Sequence, residues 1–136
     1  MVNIHHAVQS AGGRVTKIKH AIIDVLSENG CLMNKAEIIS ALQRKKIAPN
    51  RSTLYRELRF LTNNHIVFQN TLFGTEYFEI PNAHHHHLIC VTCENIEIVS
   101  MKNHLQEEEK CITQQNHFRT LHHSLEFYGY CQKCQT

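Results

Sequence analysis

The sequence predicts an α+β chain built in two parts. Three observations carry this: helical hydrophobic periods that give way to a hairpin pattern before residue 80, a short mixed strand and helix pattern after residue 84, and a shift in cysteine usage between the two. Five of the six cysteines follow the boundary, four of them as two CxxC pairs. We therefore divide the chain into a domain over 1–80, a hinge over 81–83 and a second domain over 84–136.

In the first part, "VNIHHAVQSAGG" reads as a short helix stopped by Gly12 and Gly13. "TKIKHAIIDVLSENG" offers Thr16 as N-cap, Ile18, Ile22, Val25 and Leu26 on one face, and Gly30 as stop. In "NKAEIISALQRKK", Asn34 precedes Glu37 by three residues, the spacing of a capping box, and Ile38, Ile39 and Leu42 turn inward. "NRSTLYRELRFLTNN" repeats the pattern with Leu54, Leu58 and Leu61. "IVFQNTLFGTEYFEI" then alternates as two strands joined around Gly74. The last three of these helices, followed by a hairpin, describe a winged helix-turn-helix, whose last helix enters the major groove with the hairpin as wing.

On that last helix Arg51, Tyr55, Arg59 and Thr62 share the face away from the leucines. Arginines neutralise phosphate or fork onto guanine, and a tyrosine ring packs against a thymine methyl. An ordinary solvated helix face would carry similar residues, so the face alone does not decide for DNA. Charge leans the same way: residues 1–80 hold ten Lys/Arg against six Asp/Glu, and residues 81–136 hold four against six.

In the second part "HHHHLICV" and "NIEIVS" are strand-like, "KNHLQEEEKCITQQ" is helical with an exposed acidic run, and "FRTLHHSLEFYGY" is extended. So small a sheet with one helix buries little apolar area, and a metal or a partner subunit must help stabilise it. Cys90 and Cys93 with Cys131 and Cys134 supply the metal site: two CxxC pairs can place four thiolates in a tetrahedron, the closed arrangement of a structural zinc site. Cys31 and Cys111 stand apart and read as ordinary thiols.

Directly before the first CxxC stands a run of four histidines, His84 to His87. On a strand successive side chains alternate faces, so His84 and His86 point one way and His85 and His87 the other. Each pair is half of a possible metal site, and imidazole alone does not choose between zinc, iron, nickel and copper. Glu79, at the end of the hairpin, and His123 are candidates to complete the two sites.

In this order the motifs resemble the ferric uptake regulator (Fur) family of metal-dependent bacterial repressors over nearly the whole chain. "GRVTKIK" is similar to the family's N-terminal segment, "STLYREL" to its recognition helix, "YFEI" to its hinge, "HHHHLICVTC" to its histidine strand and first CxxC, and "HHSLEFYGYCQKC" to its last strand and second CxxC. The resemblance implies a winged-helix domain hinged to an α/β dimerisation domain, and a homodimer that binds an inverted repeat of double-stranded DNA when metallated. It implies structural Zn2+ on Cys90, Cys93, Cys131 and Cys134. It also implies a regulatory divalent metal, Zn2+ or Fe2+, on Glu79, His85 and His87, and an additional site on His84, His86 and His123. Tyr55 matches the base-contacting tyrosine, Arg56 lies beside it, and Arg14 matches a basic residue that reaches the minor groove.

Several positions depart from the family pattern: "FGTEYFEIPN" lacks the hinge cysteine common in zinc-type members, "TKIK" lacks the usual proline after "VT", and three candidate ligand positions differ. Met33 stands where iron-type members place a regulatory histidine, which leaves Cys31 or Glu97 as substitutes. His86 stands where those members often have aspartate. Gln106 falls where the additional site usually has a glutamate. A zinc hydrolase using Glu79, His85 and His87 around an open position, or a metal-buffering protein, are the alternatives from other classes, and both leave the Tyr55 helix unexplained. The chain is expected to be no enzyme. With no long apolar run and no signal-like lead, a cytoplasmic protein without a membrane span is expected.

Overall fold

The computed structural model describes residues 4–13, 16–80, 85–102 and 105–135, apart from the side chain of His5. Arg14, His84 and the expected hinge at 81–83 lie outside them. Backbone contacts divide the chain into two compact units, Met1–Ala83 and His84–Thr136.

The first unit holds helices α1 (Ile4–Ser10), α2 (Lys17–Asn29), α3 (Lys35–Arg44) and α4 (Arg51–Asn63) with strands β1 (Met33–Asn34), β2 (Phe68–Leu72) and β3 (Thr75–Glu79). Each long helix begins on a side chain that satisfies a free backbone N–H. Thr16 Oγ1 accepts from Lys19 N at 3.2 Å, and Asn50 Oδ1 accepts from Thr53 N at 2.8 Å. Asn34 and Glu37 form the full capping box, with bonds of 2.8 and 3.4 Å. Gly30 closes α2 at φ 69°, donating to the Leu26 carbonyl.

The helices bury the faces their periodicity marks. Ile22, Leu26, Ile38, Leu42, Leu54 and Leu61 are fully inaccessible and Leu58 nearly so, packed with Val8, Met33, Val67 and Phe78 into one core. Within it the Lys19 ammonium forms an ion pair with the Glu57 carboxylate, Nζ to Oε2 at 3.0 Å, and lies 4.5 Å from the Phe60 ring centroid. A buried charge is tolerable here because it is paired. The Phe60 ring sits so close to Gly13 that a Cβ there would fall 2.3 Å from it, which accounts for a glycine after α1.

The antiparallel sheet runs β1-β3-β2. β2 and β3 pair from Phe68↔Glu79 to Leu72↔Thr75 around a two-residue turn, Phe73 at φ 53° and Gly74 at φ 78°. Positive φ at both central positions matches the right-handed twist of a hairpin, at some strain for Phe73. The two-residue β1 is not foreshadowed in the sequence, because so short a pairing leaves no alternation to read.

The second unit holds β4 (His86–Cys90), β5 (Ile96–Val99), α5 (Gln106–Asn116), β6 (Glu126–Gly129) and a terminal 3-10 turn, Gln132–Cys134. The sheet runs β5-β4-β6, with β5 antiparallel and β6 parallel to the central strand. The extended segment expected over 118–130 is a strand only at Glu126–Gly129, where it pairs with β4, and Leu125 just before it accepts from His87 N at 3.3 Å. Among the described residues of this unit, only Ile89 and Cys90 are buried apolar side chains, and α5 buries none.

Candidate metal centres and nucleic-acid face

The first cluster grows from the strand pairing of the second unit. β4 ends at Cys90, and a tight turn, with Glu94 N donating to the Cys90 carbonyl at 2.9 Å, brings Cys93 back beside it. Parallel pairing sets Cys90 against Gly129, so Cys131 arrives two residues beyond, and the 3-10 turn returns Cys134 to the same place. The four sulfurs all lie within 4.8 Å of one another. Four thiolates about 2.3 Å from one zinc define a tetrahedron with edges of about 3.8 Å. Cys93 Sγ and Cys131 Sγ are already 3.8 Å apart.

The electrostatics also suit a cation. The Cys131 backbone N–H, 3.4 Å from Cys90 Sγ, and the Cys93 N–H hold the Cys90 thiol down at about 6. Cys134 is pushed up to about 12, first by its neighbour Cys131 and then by burial. For Cys93 the Asn95 N–H lowers the pKa, but the Cys90 and Cys131 sulfurs and desolvation outweigh it and the thiol is raised. Four sulfurs this close cannot all ionise without a positive charge among them.

The histidine strand turns its side chains as the alternation requires. On one face His85 Nε2 and His87 Nε2 are 3.1 Å apart, their rings edge to face at 87°. Two imidazoles on one tetrahedral metal, with bonds of about 2.0–2.1 Å, would be separated by about 3.3 Å. On the other face the buried His86 stacks on His123, ring centroids 5.7 Å apart, and His123 Nδ1 lies 3.3 Å from Glu109 Oε1. Thr113 on α5 and Thr120 share a hydroxyl hydrogen bond of 2.9 Å that ties the segment before His123 to the helix.

Glu109 is the residue that sequence reasoning missed. In the sequence the acidic run 107–109 reads as solvated, and Gln106 falls at the place of the family's glutamate. At 3.6 residues per turn Gln106, Glu109 and Thr113 fall on one face of α5, and that spacing was the available signal.

The substitutes for the absent histidine separate on geometry within each unit. Met33 is 5 % exposed, pairs with Phe78 across the sheet and belongs to the core. Glu97 pairs with Leu88, so it shares the His86 face of the second sheet rather than the His87 face. Asn95 donates to it at 3.1 Å. Cys31, just after α2, remains: in the first unit its thiol and the Glu79 carboxylate lie within 4.8 Å of each other.

On α4 the side chains of Arg51, Tyr55, Arg56 and Arg59 are all exposed, opposite the Leu54–Leu58–Leu61 stripe. Arg56 lies 3.9 Å from Glu57, too distant to hold it, and 72 % of its side chain is open to solvent. Lys35 Nζ contacts Glu76 Oε2 at 2.8 Å, and this hydrogen bond, with the charge behind it, holds the Glu76 carboxyl below the usual range.

Comparison with known proteins adds to this geometry. The profile of the ferric uptake regulator family matches residues 10–128. The chain belongs to the ferric uptake regulator family. Among Fur family relatives, the peroxide operon regulator of Bacillus subtilis (strain 168) is 30% identical over 129 residues, spanning 93% of this chain and 88% of that protein. The ferric uptake regulation protein of Legionella pneumophila is 28% identical over 131 residues, 94% of this chain and 96% of its own. The solved Vibrio cholerae ferric uptake regulator superposes with a TM-score of 0.70 at 26% identity, covering 95% of this chain and 100% of that one. The manganese-bound regulator from Pseudomonas aeruginosa gives a TM-score of 0.76 at 21% identity over 96% of this chain and 99% of that one, a likeness of fold alone. As a Fur family member the chain is a metal-responsive transcription regulator with an α+β fold and a four-cysteine cluster in its C-terminal region. Among the described residues no helix is long and apolar enough to cross a membrane.

Proposed function

We propose that this Fur family member is a cytoplasmic, homodimeric repressor of metal-uptake and homeostasis genes whose regulatory site favours zinc. The observation that carries this reading is the pair of half-sites on either side of residues 81–84: Cys31 with Glu79 before them, His85 with His87 after them. A set of one thiolate, one carboxylate and two imidazoles suits Zn2+ better than Fe2+, because thiolate is the softest of the three donors.

In this reading Glu79, His85 and His87, joined by Cys31, share one divalent cation. That sharing favours the arrangement of the two units in which both copies of α4 reach successive major grooves of an inverted repeat. The equilibrium shifts only by the difference in metal affinity between arrangements. Cys90, Cys93, Cys131 and Cys134 hold a structural zinc that keeps β6 and the last turn on β4. His86 and His123, with Glu109 and His84, form the additional site.

At the DNA, Tyr55 and Arg56 read base edges, Arg51 and Arg59 contact phosphates, and Arg14 enters the minor groove. Dimerisation falls to the second unit. Of the eleven large apolar side chains that are exposed among the described residues, nine belong to it, including Leu88, Ile98, Ile112 and Phe127. So much uncovered apolar surface on so small a unit marks a protein interface.

The test is to titrate purified protein with Zn(II), Fe(II), Mn(II) and Ni(II) while following binding to a selected inverted-repeat duplex and bound metal per chain. Zinc should drive DNA binding at the lowest free concentration. A metal-buffering protein would take up the same ions without gaining affinity for the duplex.

A further inference from the structure

Lys35 occupies a junction that the metal sites and the arginine face do not explain. It is the first residue of α3, its backbone fixed by the Asn34–Glu37 capping box, and its neighbour Asn34 pairs with Tyr77 on the wing strand β3. From there its ammonium reaches two other elements at once. Nζ lies 2.8 Å from Glu76 Oε2 on β3 and 4.3 Å from the centroid of the Tyr55 ring on α4.

An exposed ion pair alone does little, since solvent screens it and both side chains lose freedom. This pair is different because the ammonium also covers one face of an aromatic ring, which attracts a cation. Glu76 anchors Lys35, and Lys35 in turn limits the orientations of Tyr55. Tyr55 is still 38% exposed, so it can meet a base while being held.

The geometry points to Lys35 as a positioning residue for Tyr55: with Glu76 as its anchor, it holds the tyrosine ring in the orientation from which a base pair is read. This rests on the reading of α4 as the DNA-facing helix. Because Glu76 already matches the Lys35 charge, Lys35 serves discrimination between sequences rather than general attraction to phosphate.

The test uses full-length, metal-loaded protein and an inverted-repeat duplex selected by the wild type from random DNA. Affinities are measured for that duplex, for single base-pair variants of it, and over a series of salt concentrations. Tyr55→Ala identifies the base pair that the tyrosine reads. Lys35→Met and Glu76→Gln should each lose roughly fivefold of discrimination at that same base pair, the low end of what one mismatch costs. Lys35→Arg, which keeps both the charge and the ring contact, should restore it. The slope of log affinity against log salt should not change in any of them.

Thermal midpoint and zinc content serve as controls for folding. If Lys35→Met weakens all duplexes evenly and flattens the salt slope by about 1.8, one phosphate contact for each copy in the dimer, Lys35 is a phosphate contact and the inference is overturned. An even gain in affinity for Glu76→Gln, with discrimination intact, overturns it as well. If Tyr55→Ala loses discrimination and Lys35→Met does not, this inference fails and the DNA-facing reading stands. If Tyr55→Ala loses none, the DNA-facing reading of α4 falls and takes the inference with it.

Discussion

Replacing Cys93 with alanine removes one corner of the sulfur cluster and should unfold the second unit. The magnitude follows from how little else holds that unit together. Its buried apolar side chains among the described residues are Ile89 and Cys90, whereas the large core cluster lies wholly within the first unit. Burying Ile89 contributes about 1.5–3 kcal/mol. A structural zinc contributes about 10–16 kcal/mol near neutral pH. Loss of the metal therefore removes more than apolar burial can replace, and the parallel β4–β6 pairing that the cluster closes should go with it. Zinc content, circular dichroism and sedimentation of Cys93→Ala, beside chelator-treated wild type, measure this. Expected are no retained zinc, loss of strand signal and loss of the dimer. A soluble, zinc-free and still dimeric Cys93→Ala protein would refute the reasoning.

Three further outcomes are expected. Zinc uptake at pH 7 should release at least two protons per cluster, from Cys93, whose thiol is raised, and from Cys134, held at about 12. Since bound zinc requires thiolates, affinity should fall with falling pH and fall fastest below about 6, where Cys90 also protonates; a pH-stat titration counts the protons. Cys31→His should move the regulatory preference from zinc toward iron, read from which ion triggers duplex binding at the lower free concentration. Leu54→Ala, at a fully buried position of α4, should cost about 2–5 kcal/mol in denaturant unfolding of the first unit, and a loss below about 1 kcal/mol would contradict its place in the core.

The first unit was legible because its helices carry long signals. Thr16, Asn34 and Gly30 each mark a helix end by a mechanism that acts within four residues, and the leucines of α4 recur often enough to define a face. The histidine strand was legible for the same reason: alternation on a strand needs no tertiary information. What escaped depended on contacts distant in sequence. β1 exists because Met33 meets Phe78, and two residues cannot advertise a strand. Glu109 was hidden in an acidic run because only the placement of α5 against His123 separates it from its neighbours. The family pattern puts Met33 at the ligand position, but its thioether is in the core, and Cys31 two residues earlier stands beside Glu79.

The central claim is that Cys31, Glu79, His85 and His87 form the site that couples metal to DNA. It is tested most directly by measuring zinc-dependent binding of His87→Ala to the selected duplex together with its zinc content. The account predicts one tightly held zinc per chain, on the four cysteines, and no gain in DNA affinity as further zinc is added. A variant that still binds the duplex more tightly with added zinc, at the wild-type concentration, would contradict it.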